Sequence, residues 1–102
     1  MPIICFTAFI IQNKYYNAVN EYKLAIKYKN NYPYYYYNLG CAYLAQKEYN
    51  GAKVALKKAI ALKSDDPRFY YNLALAYKES DNKKAAQKAF EKYNELTKEE
   101  DI

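Results

Sequence analysis

Few side chains in this sequence can do chemistry, and most of those are tyrosines. There are fifteen, against two serines (Ser64 and Ser80), two cysteines (Cys5 and Cys41), one arginine (Arg68) and no histidine. Nucleophilic catalysis needs a base beside the hydroxyl or thiol, and without imidazole neither serine has one. The pair Asp65-Asp66 directly precedes Pro67, so it reads as a helix cap and not as carboxylates posed for acid–base work. Only Gly40 and Gly51 are glycine, which leaves no phosphate-cradling loop, and no cluster has metal-ligand spacing. An enzyme is therefore not expected, nor a metal, a cofactor or a small-molecule substrate. What remains is recognition. A tyrosine offers a large ring to bury, a hydroxyl for directional bonds and few rotors to freeze.

The elements that must position these rings follow from an internal repeat. Shifted by 34 residues, Pro33 falls on Pro67, Tyr36 on Tyr70, Tyr37 on Tyr71, Asn38 on Asn72 and Leu39 on Leu73. Further along, Ala42 meets Ala76, Tyr43 meets Tyr77, Ala52 meets Ala86, Ala55 meets Ala89 and Leu62 meets Leu96, with no gap. A constant period of this size marks stacked supersecondary units. Scarce glycine and proline, with abundant Ala, Lys, Leu and Glu, makes those units helical despite the β-preferring tyrosines. Asp66-Pro67 supplies an N-cap and a first-turn proline, and Ser80-Asp81-Asn82 interrupts the third repeat where a second helix must start. Residues 46–50 do the same in the second repeat, less cleanly.

The period and its residues together resemble the tetratricopeptide repeat family, whose pattern is an aromatic, Leu-Gly and Tyr on a first helix, then Ala and an aromatic on a second. Tyr36, Leu39, Gly40, Tyr43, Ala52 and Leu56 fill those places once; Tyr70, Leu73, Ala74, Tyr77, Ala86 and Phe90 fill them again. The sequence departs from the pattern at Ser64, where the family has proline, and at Tyr93, which replaces the small residue seen at Ala59. One period earlier, Ala18, Tyr22, Ala25 and Ile26 fit a second helix, whereas Cys5-Phe6 stands where Leu39-Gly40 would. The resemblance implies an all-α antiparallel helix-hairpin solenoid, a right-handed superhelix of three 34-residue repeats with the first degenerate. A single domain would span 1–102, with repeats over about 1–32, 33–66 and 67–100.

At about 100° per residue, Tyr36, Leu39, Gly40 and Tyr43 share one helix face, and Tyr34, Tyr37, Cys41 and Leu44 lie well round from it. The first set, with Ala52, Leu56 and Ala59, is expected to pack the repeat. Tyr70, Leu73, Ala74, Tyr77, Ala86 and Phe90 do so in the next. In the family, first helices line a concave groove that holds an extended peptide or a partner helix. By that resemblance the groove carries Tyr34, Tyr37, Cys41 and Leu44, then Arg68, Tyr71, Leu75 and Lys78. Arg68 is suited to pair with a carboxylate or stack on a ring. Some family members clamp the acidic C-terminus of heat-shock chaperones with Lys, Asn and Arg. Asn38 and Asn72 sit at clamp places, but Ile3 and Thr7 occupy two more, so that ligand is not expected.

The expected partner is thus a protein or peptide, and the expected role an adaptor or scaffold. A competing expectation is self-association through the apolar N-terminal helix, where Ile3, Ile4, Phe6, Phe9, Ile10 and Ile11 cluster. Val54, Ile60 and Ala61 become Lys88, Asn94 and Glu95 one period on, as a water-facing terminal helix requires. Net charge is +5, which admits nucleic acid as a third partner; a surplus carried almost wholly by lysine weighs against it. The run "MPIICFTAFII" is too short to span a bilayer and lacks the positive start of a signal peptide. Cys5 and Cys41 read as small buried hydrophobes, which makes a reducing compartment, the cytoplasm, the default.

Overall fold

The computed structural model describes residues 15–98. Every regular element among them is an α-helix: α1 (Tyr15–Tyr28), α2 (Pro33–Ala45), α3 (Tyr49–Leu62), α4 (Pro67–Glu79) and α5 (Lys83–Lys98). α2 and α3 form one antiparallel hairpin and α4 and α5 the next, while α1 packs on α2 as the second helix of the repeat before. The helix that would precede α1 lies outside the described residues, and so does the apolar self-association face expected there.

The two hairpins share a turn built from the same bonds. Lys47 and Asp81, one period apart, both have φ 64°. Behind them the Glu48 N–H donates to the Tyr43 carbonyl and the Asn82 N–H to the Tyr77 carbonyl, each at 2.8 Å. Those bonds satisfy carbonyls that the helix ends would otherwise leave open. The caps follow the sequence expectation. Pro33 and Pro67 open α2 and α4, and the Asp66 carboxylate accepts from the Arg68 N–H. Asn82 Oδ1 accepts from the Ala85 N–H at 3.2 Å in the first turn of α5.

Within the second repeat the packing turns on missing bulk. A Cβ placed on Gly40 would sit 2.7 Å from Leu56 Cγ, and Ala52, Leu56 and Ala59 have no exposed surface. Gly40 is therefore a close-approach glycine, with ordinary helical φ, that lets α3 seat Leu56 against α2. Ala74 takes its place in the third repeat, opposite the half-buried Phe90. Leu39, Leu73, Ala74 and Ala86 are buried as expected. Tyr36, Tyr43, Tyr70 and Tyr77 are half-buried, and Tyr36, Tyr43 and Tyr77 pack against the core. Tyr36 Oη donates to the Asn30 carbonyl at 2.9 Å and Tyr70 Oη to the Ser64 carbonyl at 2.8 Å. Each of these tyrosines pins the loop that introduces its own helix.

Two substitutions test this scaffold. Gly40→Ala gains about 1 kcal/mol of helix propensity but overpacks Leu56 at a cost of about 1–3 kcal/mol. A lower urea midpoint is expected, and Gly40→Val should lower it further. Lys47→Gly relieves a left-handed backbone and should raise stability by about 0.5–1 kcal/mol in the same measurement.

Candidate functional site

The eight residues expected to line a groove come from α2 and α4, and the fold treats them in two ways. Tyr34 and Leu44 on α2, with Arg68, Tyr71 and Leu75 on α4, are half-buried, and Lys78 is exposed. Tyr37 and Cys41 are not surface residues at all. Tyr37 is 5% exposed and Cys41 2%, and both belong to the core cluster that joins the second and third repeats. The physical reason is stacking. A first helix packs against its own second helix on one side and against the next repeat's first helix on another, so the face 37–41 is covered by α4. A helical wheel drawn for one hairpin leaves that second neighbour out.

The residue that covers them is Phe69, which sequence reasoning passed over. It is wholly buried and is among the largest side chains to be so. Its ring centroid lies 5.0 Å from that of Tyr37 and 5.9 Å from that of Tyr34. Spacing did hold a signal: residues 69, 72, 73 and 76 share one helix face and are all buried. Asn72 is the polar member of that face. Its Nδ2 donates to the Arg68 carbonyl at 2.9 Å and to Tyr37 Oη at 3.4 Å.

Above this core sits the only arginine. Arg68 Nε donates to Asp66 Oδ1 at 3.0 Å, and its second terminal nitrogen approaches Asp66 Oδ2 at 2.6 Å. The same guanidinium lies 5.5 Å from the Tyr34 ring centre and 5.4 Å from that of Tyr37. Both roles foreseen for Arg68, carboxylate pairing and ring stacking, are thus filled from within the chain. The bond to Asp66 holds Arg68 still more firmly protonated than an ordinary guanidinium. Its positive charge is compensated, and N–H groups not used by Asp66 remain at a side chain that is 36% exposed. Tyr71 is held differently: its ring meets Phe90 at 5.7 Å and Tyr93 at 5.2 Å between centroids. Tyr93, the bulky departure from the repeat pattern, therefore has a packing partner.

Cys41 also read as a small buried hydrophobe, and at 2% exposed it is one. Among the described residues no three potential metal ligands come together, and no helix is long and apolar enough to cross a membrane.

This geometry can be set beside known proteins. The family model described as TPR repeat matches residues 7–47 and 41–81, and the one described as Tetratricopeptide repeat matches residues 67–100. The chain belongs to the tetratricopeptide repeat family. A solved structure, MamA 41-end from Desulfovibrio magneticus RS-1, is similar with a TM-score of 0.86 at 22% identity. The match covers 96% of this chain and 55% of that one, so this chain spans about half the solved chain's length. At that identity the likeness speaks to the fold, which is the helical-repeat fold expected. No curated protein matches the sequence. Tetratricopeptide repeats are protein-interaction modules, and membership places this chain in that broad class.

Burial raises the Tyr37 phenol above its ordinary 10.0, with the Arg68 charge and the Asn72 bond opposing in part. A raised phenol contributes stability below the unfolded-state value of about 10, and that contribution is lost as pH climbs through the folded one. Stability should therefore fall above about pH 10. Tyr37→Phe should flatten that alkaline limb in urea melts and cost about 0.5–1.5 kcal/mol at neutral pH for the lost bond.

Proposed function

We propose that this chain is an adaptor that holds a protein or peptide segment in a concave groove lined by the first helices α2 and α4. The single observation behind the reading is the preformed Tyr34–Arg68–Asp66 arrangement. A guanidinium already fixed between rings and a carboxylate loses little freedom when a ligand arrives. Tyr34, Leu44, Tyr71 and Leu75 supply the apolar surface. Lys78, whose ammonium makes no ion pair among the described residues, supplies free charge. Arg68, neutralised by Asp66, is better matched to a ligand's backbone carbonyls than to its carboxylates. Tyr37 and Cys41 support this surface from beneath and do not touch the ligand. In this reading the domain comprises repeats at 33–66 and 67–100 with a degenerate one before them, and the module binds without catalysing.

Tyr37→Ala would open a core cavity costing about 3–5 kcal/mol, so its loss of binding would report unfolding. Leu75→Ser with Lys78→Glu alters the half-buried Leu75 and the exposed Lys78 instead. A peptide array identifies a ligand, and titration calorimetry then compares the double variant with the parent chain. Binding weaker by about tenfold or more, with unchanged helicity by circular dichroism, is the expected result. Equal affinity refutes the groove.

A further inference from the structure

A second apolar trench lies about 150° round α2 from the groove residues, on the face where α2 meets α3. Its volume is about 580 Å³, and Tyr36, Leu39, Tyr43, Gly51, Val54 and Lys58 line it. Three observations set it apart from a packing defect.

First, Val54 is 72% exposed at its edge, an apolar side chain that nothing among the described residues covers. Second, Gly51 lets the Tyr43 ring lie directly on α3: a Cβ there would sit 3.1 Å from that ring. Third, the trench is not a general property of the repeat. One period on, Asn50, Gly51 and Val54 are replaced by Lys84, Ala85 and Lys88. The second repeat alone keeps the trench glycine-floored with an apolar rim.

Its electrostatic setting is one-sided. Helices α1 to α3 carry Lys23, Lys27, Lys53, Lys57 and Lys58 against a lone acid, Glu21. None of these five lysines enters an ion pair among the described residues; the pairs present there are Lys63–Asp65, Arg68–Asp66 and Lys92–Glu95. One of them, Lys58, lines the trench itself, with Nζ 6.0 Å from the Tyr36 ring centre. Lys23, on α1, holds Nζ 5.8 Å from the ring centre of Tyr43, a residue of the trench wall. Ammonium groups held only by ring faces remain open to carboxylates at little cost, because an exposed cation–π contact is worth about 0.5–1 kcal/mol.

We propose that this trench is a second docking site, whose occupant is an acidic amphipathic helix of a partner protein. An apolar side chain at helical spacing would enter beside Val54, and flanking carboxylates would meet Lys58 and Lys23. The complementarity of sign gives the orientation and the encounter rate, and the buried apolar contact gives the lifetime. The site is separate from the concave groove, so the chain can bridge two partners.

The test uses the full chain and two short labelled peptides with leucine at i, i+3, i+4 and i+7. One carries glutamate and the other lysine at every remaining position. Fluorescence anisotropy should show saturable binding of the leucine–glutamate peptide, with the leucine–lysine peptide weaker by about tenfold or more. Val54→Glu and Lys58→Glu, both at exposed positions, should each weaken it by about tenfold. Affinity should also fall with added salt. The groove variant Leu75→Ser with Lys78→Glu should bind as the parent does, which separates this proposal from the previous one. The proposal is overturned if the acidic peptide does not saturate, if both peptides bind alike, if Val54→Glu is silent, or if the groove variant loses the interaction.

Discussion

The ring of Phe69 sits wholly inside the joint between two repeats, and most of what is distinctive about this chain depends on its being there. Complete burial of such a side chain is worth about 1.5–3 kcal/mol. Edge and tilted contacts with Tyr34 and Tyr37 add to that. Phe69 belongs to the third repeat and its ring partners to the second, so neither hairpin can satisfy it alone. Stability in a stacked array comes largely from such interfaces. Here the interface is aromatic, and it carries the guanidinium of Arg68 on its upper side. Core packing and the candidate binding surface are consecutive layers of one structure.

That layering accounts for the run of tyrosines at 34–37. Tyr34 half-covers the guanidinium, Tyr35 meets Tyr32 with ring centroids 4.7 Å apart, Tyr36 pins the preceding loop, and Tyr37 is core. Consecutive residues on a helix face four directions, and in this solenoid each direction has a neighbour able to use a ring with a polar tip. Phenylalanine would serve the core but would leave the Asn30 carbonyl and the Asn72 amide without those hydroxyl contacts. Polar satisfaction, as much as hydrophobic area, explains the choice. Among the described residues no buried side-chain nitrogen or oxygen lacks a partner.

Charge is distributed with the same economy. The buried Asp66 serves Arg68 twice, through the backbone N–H as a helix cap and through the guanidinium as a counter-ion. One carboxylate thereby starts α4 and arms the surface beside it. The lysines are left otherwise: Lys23 and Lys57, one period apart, lie over Tyr43 and Tyr77, themselves one period apart. A cation–tyrosine contact recurs at each joint on the outer side. It covers ring surface without consuming charge, and a protein that binds others can use both.

Much of this was legible beforehand. The 34-residue shift, the scarcity of glycine and proline and the Asp66-Pro67 start determined an all-helical repeat, its register and the close approach at Gly40, because those depend on local propensity and on contacts inside one hairpin. The same reasoning identified two kinds of partner for Arg68. It assigned Tyr37 and Cys41 to the surface and overlooked Phe69, because burial there depends on the next hairpin's arrival, and a helical wheel contains no next hairpin. That Asp66 would claim Arg68 was decided by the local geometry of the α4 cap, and that Val54 would stand over an open trench by how α2 and α3 pack. Spacing along the chain settles which residues share a face; only the assembled solenoid decides what that face meets.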